Sequence, residues 1–528
     1  MDPESSYPTV RQPLMARNVV ATSQPLAAQA GLRMLMAGGN AVDAALAAAI
    51  TLTVVEPTSN GIGSDAFAIV WDGTGLHGLN ASGRSPAGWV PERFSHLDHM
   101  PQRGWDTVTV PGAVSAWWAL SDRFGKLPFQ DLFAPAISYS SDGFPVSPIT
   151  ARSWAQAAKT LRNEPGFAEA FLRHGAAPEA GQLFCLPSMA KTLTSIAESD
   201  GEDFYRGDLA RRIIGFSESC GGVMTMDDLA SHQADWCGTV SLSWHGYEMH
   251  EIPPNGQGIA ALIALGILRE IHGLADLPPD SPASIHLQVE AMKLAFADLH
   301  RYVSDPATME ISPVSLLDRE YLRGRAALID PQRAKVPTHG VPGYSGTVYL
   351  TAADESGMMV SFIQSNYMGF GSGVVVPGTG ISLQNRGCGF RSRPGHANSV
   401  GPQKRPFHTI IPGFVTRSGQ PIMSFGVMGG AMQAQGHVQM AMRVLLHGQN
   451  PQEASDAPRW QVLDDGTLAV ESAMSKAVVS ELKSLGQQVQ VMEGATNQAF
   501  GGAQLIMRHK EAYIAGSDHR KDGMAVGF

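Results

Sequence analysis

The chain has 528 residues, 44% of them hydrophobic and 16% charged, with a formal net charge of −10. That balance describes a globular protein with a sizeable core, and net negative charge without a Lys/Arg run argues against a nucleic-acid surface. The four cysteines, Cys185, Cys220, Cys237 and Cys388, are scattered without paired metal spacing, which suits a reducing compartment and gives no disulfide framework. The first residues, MDPESSYPTVRQPLMARN, carry two early acids and no apolar run of the kind a secretory signal needs. SQPLAAQAGLRMLMAGG then reads as a helix stopped by Gly38-Gly39. NAVDAALAAAITLTVVEP reads as a second helix, capped by Asn40 and ended before Pro57. Its apolar run, Ala41 to Val55, is short for a bilayer and contains Asp43, so a buried core helix in a cytoplasmic protein is expected.

A Gly-rich turn (NGIGSDA) follows, then strands FAIVW and LHGLNAS and a Pro-rich loop. From 110 to 335 the apolar spacing is mostly helical, in GAVSAWWALSDRFG, QDLFAPAISYSSDG and PASIHLQVEAMKLAFADLHRYVSD, with a strand pair around TVSLSWHGYEMHEIPP. Residues 336 to 346 read as loop. After 347 the pattern turns to strands: TVYLTAAD, MMVSFIQS, GVVVPG, TIIPGFVT and PIMSFGVM, with later helices at QAQGHVQMAMRVLLHG and SAMSKAVVSELKSLG. The composition shift therefore falls at 346/347, and a boundary is expected there.

TVYLTAAD and MMVSFIQS flank Asp354-Glu355-Ser356-Gly357, good hairpin chemistry, so Thr347 opens a hairpin directly after Gly346. A Gly-Thr bond held in a strained turn lets the threonine oxygen attack the preceding carbonyl. Hydrolysis of the resulting ester frees Thr347 as a new N-terminus, whose α-amine, with a pKa near ~8, can serve as base for its own hydroxyl. A threonine chosen only for β-propensity after a flexible loop gives the same pattern. Further on, PIMSFGVMGGAMQAQGHVQMAMRVLL is strand, Gly429-Gly430, then helix. Backbone N–H groups at such a turn suit an oxyanion hole, although a plain strand–helix turn reads alike. Neither GxGxxG nor GxxxxGK[ST] occurs there, so a nucleotide site is not expected.

Several stretches in order, GGNAVDAALAA, VVEPTSNGIGSDAF, TVPGAVSAWW, FAPAISYSSDGFPVS, FYRGDLARRI, EAMKLAFADLHRYVSDP, KRPFHTIIP and GSDHRKDGMAVGF, resemble the gamma-glutamyltranspeptidase family of N-terminal-nucleophile hydrolases over nearly the whole chain. The resemblance implies an α+β fold, a four-layer αββα sandwich, and a proenzyme that cuts itself between Gly346 and Thr347. Chain 1–346 would be the large subunit and 347–528 the small one, joined as a heterodimer, with a dimer of heterodimers as a further option. It implies Thr347 as nucleophile, Ser365 as the hydroxyl that orients it, and Gly429 and Gly430 as oxyanion donors. Asp354, seven residues after Thr347, matches the family spacing. No cofactor, metal, nucleic acid or membrane is implied.

The departures bear on substrate. Thr347-Val348-Tyr349 replaces Thr-Thr-His, and the asparagine that helps bind a glutamyl α-amino group falls at Tyr367, beside Asn366. QNRGCGF puts Arg386 where a glutamine is expected and Gly389 where the carboxylate gripping the α-ammonium belongs; His408-Thr409 replaces a serine pair. FRSRPGHANSVGPQKRP is too short for the lid loop of many relatives. An α-ammonium group without its carboxylate and beside an added guanidinium is disfavoured. The sequence thus resembles the lid-less branch with glutaryl cephalosporin acylases and the oxamate amidohydrolase of purine breakdown. The expected activity is hydrolysis of an amide whose small acyl group bears a carboxylate and no α-amine. The alternatives are a gamma-glutamyltransferase or glutathione hydrolase and, outside enzymes, a processed small-acid binding protein. Arg84, Asn366, Arg386, His408 and Thr409 are the substrate-binding candidates. His286, His300 and Glu290 read as core or surface groups rather than metal ligands, Asp227-Asp228 as a helix N-terminal region, and Cys388 lies near the pocket without an activating neighbour.

Overall fold

The structure, a computed structural model, describes residues 11–335, 346–493 and 498–528. The loop expected over 336–345 lies outside the described residues, and Gly346 is already in a strand. Strands β1 (Leu14–Ala16), β2 (Val19–Thr22), β3 (Asp65–Trp71), β4 (Leu76–Asn80), β5 (Asp235–Trp236), β6 (Val240–Trp244) and β7 (Tyr247–Glu251) precede that gap. After it come β8 (Gly346–Ala353), β9 (Met359–Tyr367), β10 (Gly413–Arg417), β11 (Gln420–Val427), β12 (Ala503–His509), β13 (Ala512–Ser517) and β14 (Met524–Gly527). They form two seven-stranded antiparallel sheets, ordered β14-β2-β8-β9-β3-β4-β5 and β1-β13-β12-β11-β10-β7-β6. The helices that matter below are α1 (Pro25–Met36), α2 (Ala41–Val55), α3 (Gly258–Arg269), α4 (Pro282–Tyr302) and α5 (Met432–Ala441).

Period-two alternation assigns the layers. Along β8, Val348, Leu350 and Ala352 pack into a cluster with α1 and α2. Tyr349 and Ala353 face the other way, meeting Phe414 and Ile506 of the second sheet and Met428 just past β11. The outer face of that second sheet, through Met423, Phe425, Val427 and Leu505, packs on α3, α4 and α5. The layers are helix, sheet, sheet, helix: the αββα sandwich.

Every residue of α2 is buried, as an all-round apolar helix requires. Asn40 and Asp43 form a capping box at its start, and the Ala41 N–H donates to Asp354 Oδ2 at 2.7 Å. Among the described residues no helix is long and apolar enough to cross a membrane.

Three expectations change. The strand read in TIIPGFVT begins only at Gly413, because Pro412 has no N–H and the preceding amides go elsewhere: Ile410 N–H to His408 Nδ1 and Ile411 N–H to Gln433 Oε1. GVVVPG keeps only Val375–Val376 as strand, and the strands after residue 486 went unread. The composition shift at 346/347 separates two stretches of chain but not two domains, since each sheet is built from strands of both.

Candidate active site

Thr347 sits where the ladder loses register. Gly346 pairs with Tyr367 and Val348 with Gln364, so Ser365 and Asn366 stand together opposite Thr347 in a bulge. Thr347 is buried between the sheets, with Oγ1 3.2 Å from Ser365 Oγ. Ser365 Oγ is itself fixed by accepting the Tyr367 N–H at 2.8 Å. On the other side Gln433, in the first turn of α5, brings its Nε2 to 3.5 Å from Thr347 Oγ1, a long contact. Its Oε1 accepts the Ile411 N–H, and that bond turns the amide nitrogen toward the threonine.

The Gly429-Gly430 turn joins β11 to α5 with φ of +118° and +63°. A side chain at 429 would crowd Gly501 Cα at 3.1 Å, and the positive φ favours glycine there in any case. The Gln433 N–H donates to Gly430 O, tying this turn to the Thr347 neighbour. Gln257 locks the turn from behind, its Nε2 donating to both Gly430 O and Thr409 O. Among the described residues the N–H groups of Gly429 and Gly430 meet no acceptor.

Arg386 is 2% exposed and lies over the Tyr367 ring, 4.8 Å from its centroid. Its Nη1 donates to Thr409 Oγ1 at 2.8 Å, while Nε and Nη2 are buried without a partner. Burial draws its pKa down to about 10, with Asp65 opposing, so it stays a cation at neutral pH. Asp65, on β3 opposite Ser365, is completely buried. It accepts from the Gly83 and Gly112 N–H groups on Oδ1 and from His408 Nε2 on Oδ2 at 3.0 Å. Because His408 Nδ1 accepts the Ile410 N–H, Nε2 carries the hydrogen and donates. Burial pushes Asp65 up to about 7 against the pull of Arg386 and the two amides, and burial holds His408 well below its ordinary value.

The structure thus brings Thr347, Ser365, Gly429, Gly430, Arg386, His408 and Thr409 into one linked group. Arg84 stands apart from it: half-exposed, it pairs with Asp305 at 3.1 Å and donates to Gln403 O. Asn366 alternates to the face away from Thr347, accepting from Ser64 Oγ and donating to Ser382 Oγ. Gly389 has no room for a side chain, since a Cβ would meet Phe407 O at 2.8 Å. Burial pushes the Cys388 thiol up to about 12, the opposite of an activated thiolate. Asp354 serves the fold as the acceptor at the start of α2. The cap near Asp227-Asp228 is Thr225, in a capping box with Asp228. His286 binds Gln487 and Asp330 O, and among the described residues no His/Cys/Asp/Glu cluster could hold a metal ion.

Sequence reading missed Gln433, Gln257 and Asp65. The nearest signal was Asp65 inside the glycine turn NGIGSDA, where an acid has no surface role to play.

The sequence profile described as gamma-glutamyltranspeptidase matches residues 27–528. The chain belongs to that family. A gamma-glutamyltranspeptidase-family protein of this kind is an enzyme, an amidohydrolase of the N-terminal-nucleophile class. It is 36% identical over 529 residues to the glutathione hydrolase-like YwrD proenzyme of Bacillus subtilis, covering 97% of this chain and 100% of that one. It is 36% identical over 516 residues to the oxamate amidohydrolase proenzyme of Klebsiella pneumoniae, covering 95% and 97%. The crystal structure of cephalosporin acylase from Bacillus halodurans superposes with a TM-score of 0.95 at 46% identity, covering 100% and 99%. The gamma-glutamyltranspeptidase-family fold expected from the sequence is therefore the observed one.

Proposed function

We propose that the protein cuts itself between Gly346 and Thr347, so that 1–346 and 347–528 become two chains of a heterodimer. The freed Thr347 then hydrolyses the amide of a small acyl group that carries a carboxylate and no α-amine. The observation that carries this reading is Arg386, a buried guanidinium linked to the Thr347 group whose Nε and Nη2 have no partner. A buried cation with two unsatisfied donors is costly unless an anion completes it, and the Nε/Nη2 edge matches a planar carboxylate.

In the reaction, the Thr347 α-amine takes the hydroxyl proton as Oγ1 attacks the amide carbon. The N–H groups of Gly429 and Gly430 stabilise the oxyanion, and the amine leaves with the proton. Water then attacks the ester carbon, Oγ1 is reprotonated and the acid departs. Ser365 and Gln433 hold Oγ1 in place. Oxamate-type substrates, releasing ammonia, and glutaryl-type substrates both meet these requirements, and two relatives bear the names oxamate amidohydrolase and cephalosporin acylase.

A gamma-glutamyl donor, suggested by the glutathione hydrolase-like relative, brings an α-ammonium group. Gly389 offers it nothing, and both Asp65 oxygens are already taken. The four cysteines are free thiols, which supports a reducing compartment such as the cytoplasm. Thr347→Ala is expected to give a chain of full mass with no amide hydrolysis. Mass spectrometry and a donor panel of oxamate, a glutaryl anilide and a gamma-glutamyl anilide test this. A cleaved or active variant, or preference for the glutamyl donor, overturns the corresponding half.

A further inference from the structure

We infer that Asp65 is a specificity-setting counter-charge: it balances Arg386 without touching it, and so limits how tightly the pocket holds an acid. This rests on the carboxylate-pocket reading above. Asp65 and Arg386 are both fully enclosed, at 0% and 2% exposure. Among the described residues no ion pair within 4.0 Å joins them, yet each is the strongest charge acting on the other. The absence of contact is built in. Both Asp65 oxygens are turned to His408 Nε2 and the Gly83 and Gly112 amides, while Arg386 is turned to Thr409 and the Tyr367 ring.

A direct bidentate pair would have consumed the Nε/Nη2 edge and closed the site. A site with no acid at all would leave an unopposed buried cation, which binds anions tightly and releases them slowly. Asp65 at one remove does neither. It keeps Arg386 charged and available, and it repels an entering carboxylate enough for the product acid to leave. A hydrolase has to release an acid that still carries the group by which its substrate was gripped.

The test is equilibrium binding of glutarate and oxalate, with neutral glutaramide as control, to the mature enzyme. Asp65→Asn is expected to lower Kd for the better-bound acid by roughly tenfold, as removal of one nearby charge in a low-dielectric site should, and to leave the diamide unchanged. In an Arg386→Met background the same Asp65→Asn change should shift Kd by less than about twofold, because without the Arg386 charge buried Asp65 keeps its proton and Asn then replaces a neutral group. A merely structural Asp65 would weaken acid and diamide together.

The pH dependence of binding supplies a second measurement. The groups facing Asp65 are Arg386, Arg405 and His408 from the 384–411 segment and Tyr205 from the helix Glu202–Tyr205. Burial holds His408 neutral and Tyr205 protonated through neutral pH. Acid Kd should therefore fall several-fold from pH 8 to pH 6 as Asp65 takes up its proton. The Thr347 amine gains charge over the same range and attracts an acid in the same direction, so the contribution of Asp65 is the part of that fall which Asp65→Asn removes. Weaker acid binding in Asp65→Asn, an effect that survives Arg386→Met, or a flat wild-type profile overturns the inference and leaves the carboxylate pocket standing. Binding of neither acid by wild type overturns the pocket, and this inference with it.

Discussion

Gln433 carries the sharpest residue-scale prediction. Gln433→Ala removes the Nε2 contact to Thr347 and the acceptor for the Ile411 N–H. We expect kcat to fall roughly tenfold with KM changed less than about twofold, because the lost interaction orients the attacking oxygen rather than the substrate. Steady-state kinetics on the cleaved protein decide it, and a rise in KM alone would contradict the role. Asp65 carries a second prediction. Its pKa is raised from 3.8 to about 7, so the folded protein keeps this proton where the unfolded chain has lost it. Stability should therefore decline as pH rises from about 4 to about 7 and level off above; urea midpoints should show that slope in wild type and a flatter one in Asp65→Asn. The proposed Thr347, Gly429 and Gly430 each lie at a local signal, a strand entry or a glycine pair, whereas Ser365 is singled out only by the family resemblance. Gln433 and Asp65 were not legible, because only the tertiary fold carries them to Thr347 and Arg386, and a lone Gln on a helix or Asp in a glycine turn announces nothing.

Elements were read well where one local rule governs, and badly where side chains from elsewhere intercept the backbone. Asn40 capped α2 as its sequence promised, and Gly357, at φ +93°, closed the β8–β9 hairpin. Residues 409–412 looked like strand by β-propensity, yet His408 and Gln433 take their amides. The seven-residue spacing from Thr347 to Asp354 also acquires a physical meaning. One strand length separates the proposed nucleophile from the hairpin carboxylate that meets the first N–H of α2, where the helix dipole favours an acid. Asp354→Ala should cost about 1–3 kcal/mol, by loss of the Ala41, Ser356 N–H and Ser356 Oγ bonds. Thermal unfolding measures it, and an unchanged Tm would remove Asp354 from the account of stability.

At the scale of the molecule, the C-terminal motif GSDHRKDG works as a buried clasp. Asp518 binds Arg459 and Arg520, Arg520 binds Glu471, and Arg459 Nη1 holds Phe500 O at 2.9 Å. The next residue, Gly501, lies against Gly429. Asp518→Asn leaves buried Arg459 without a carboxylate partner, while Arg520 keeps Glu471, and we expect about 3–5 kcal/mol of lost stability in urea unfolding together with reduced kcat. The layered sandwich was legible only through the family resemblance; alternation along β8 and β9 by itself pointed to a hairpin. The interleaving of the two chain segments was not legible, because strand order is set by long-range pairing that period-two patterns do not encode.

That interleaving gives the Gly346–Tyr367 pairing a consequence. The bond proposed for cleavage lies inside a ladder, one residue from the ring on which Arg386 rests. Its scission would turn Gly346 into a terminal acid already lying along Tyr367. The first tenant of the pocket would then be the protein's own severed end, and a newly matured molecule would have to evict it before meeting any substrate.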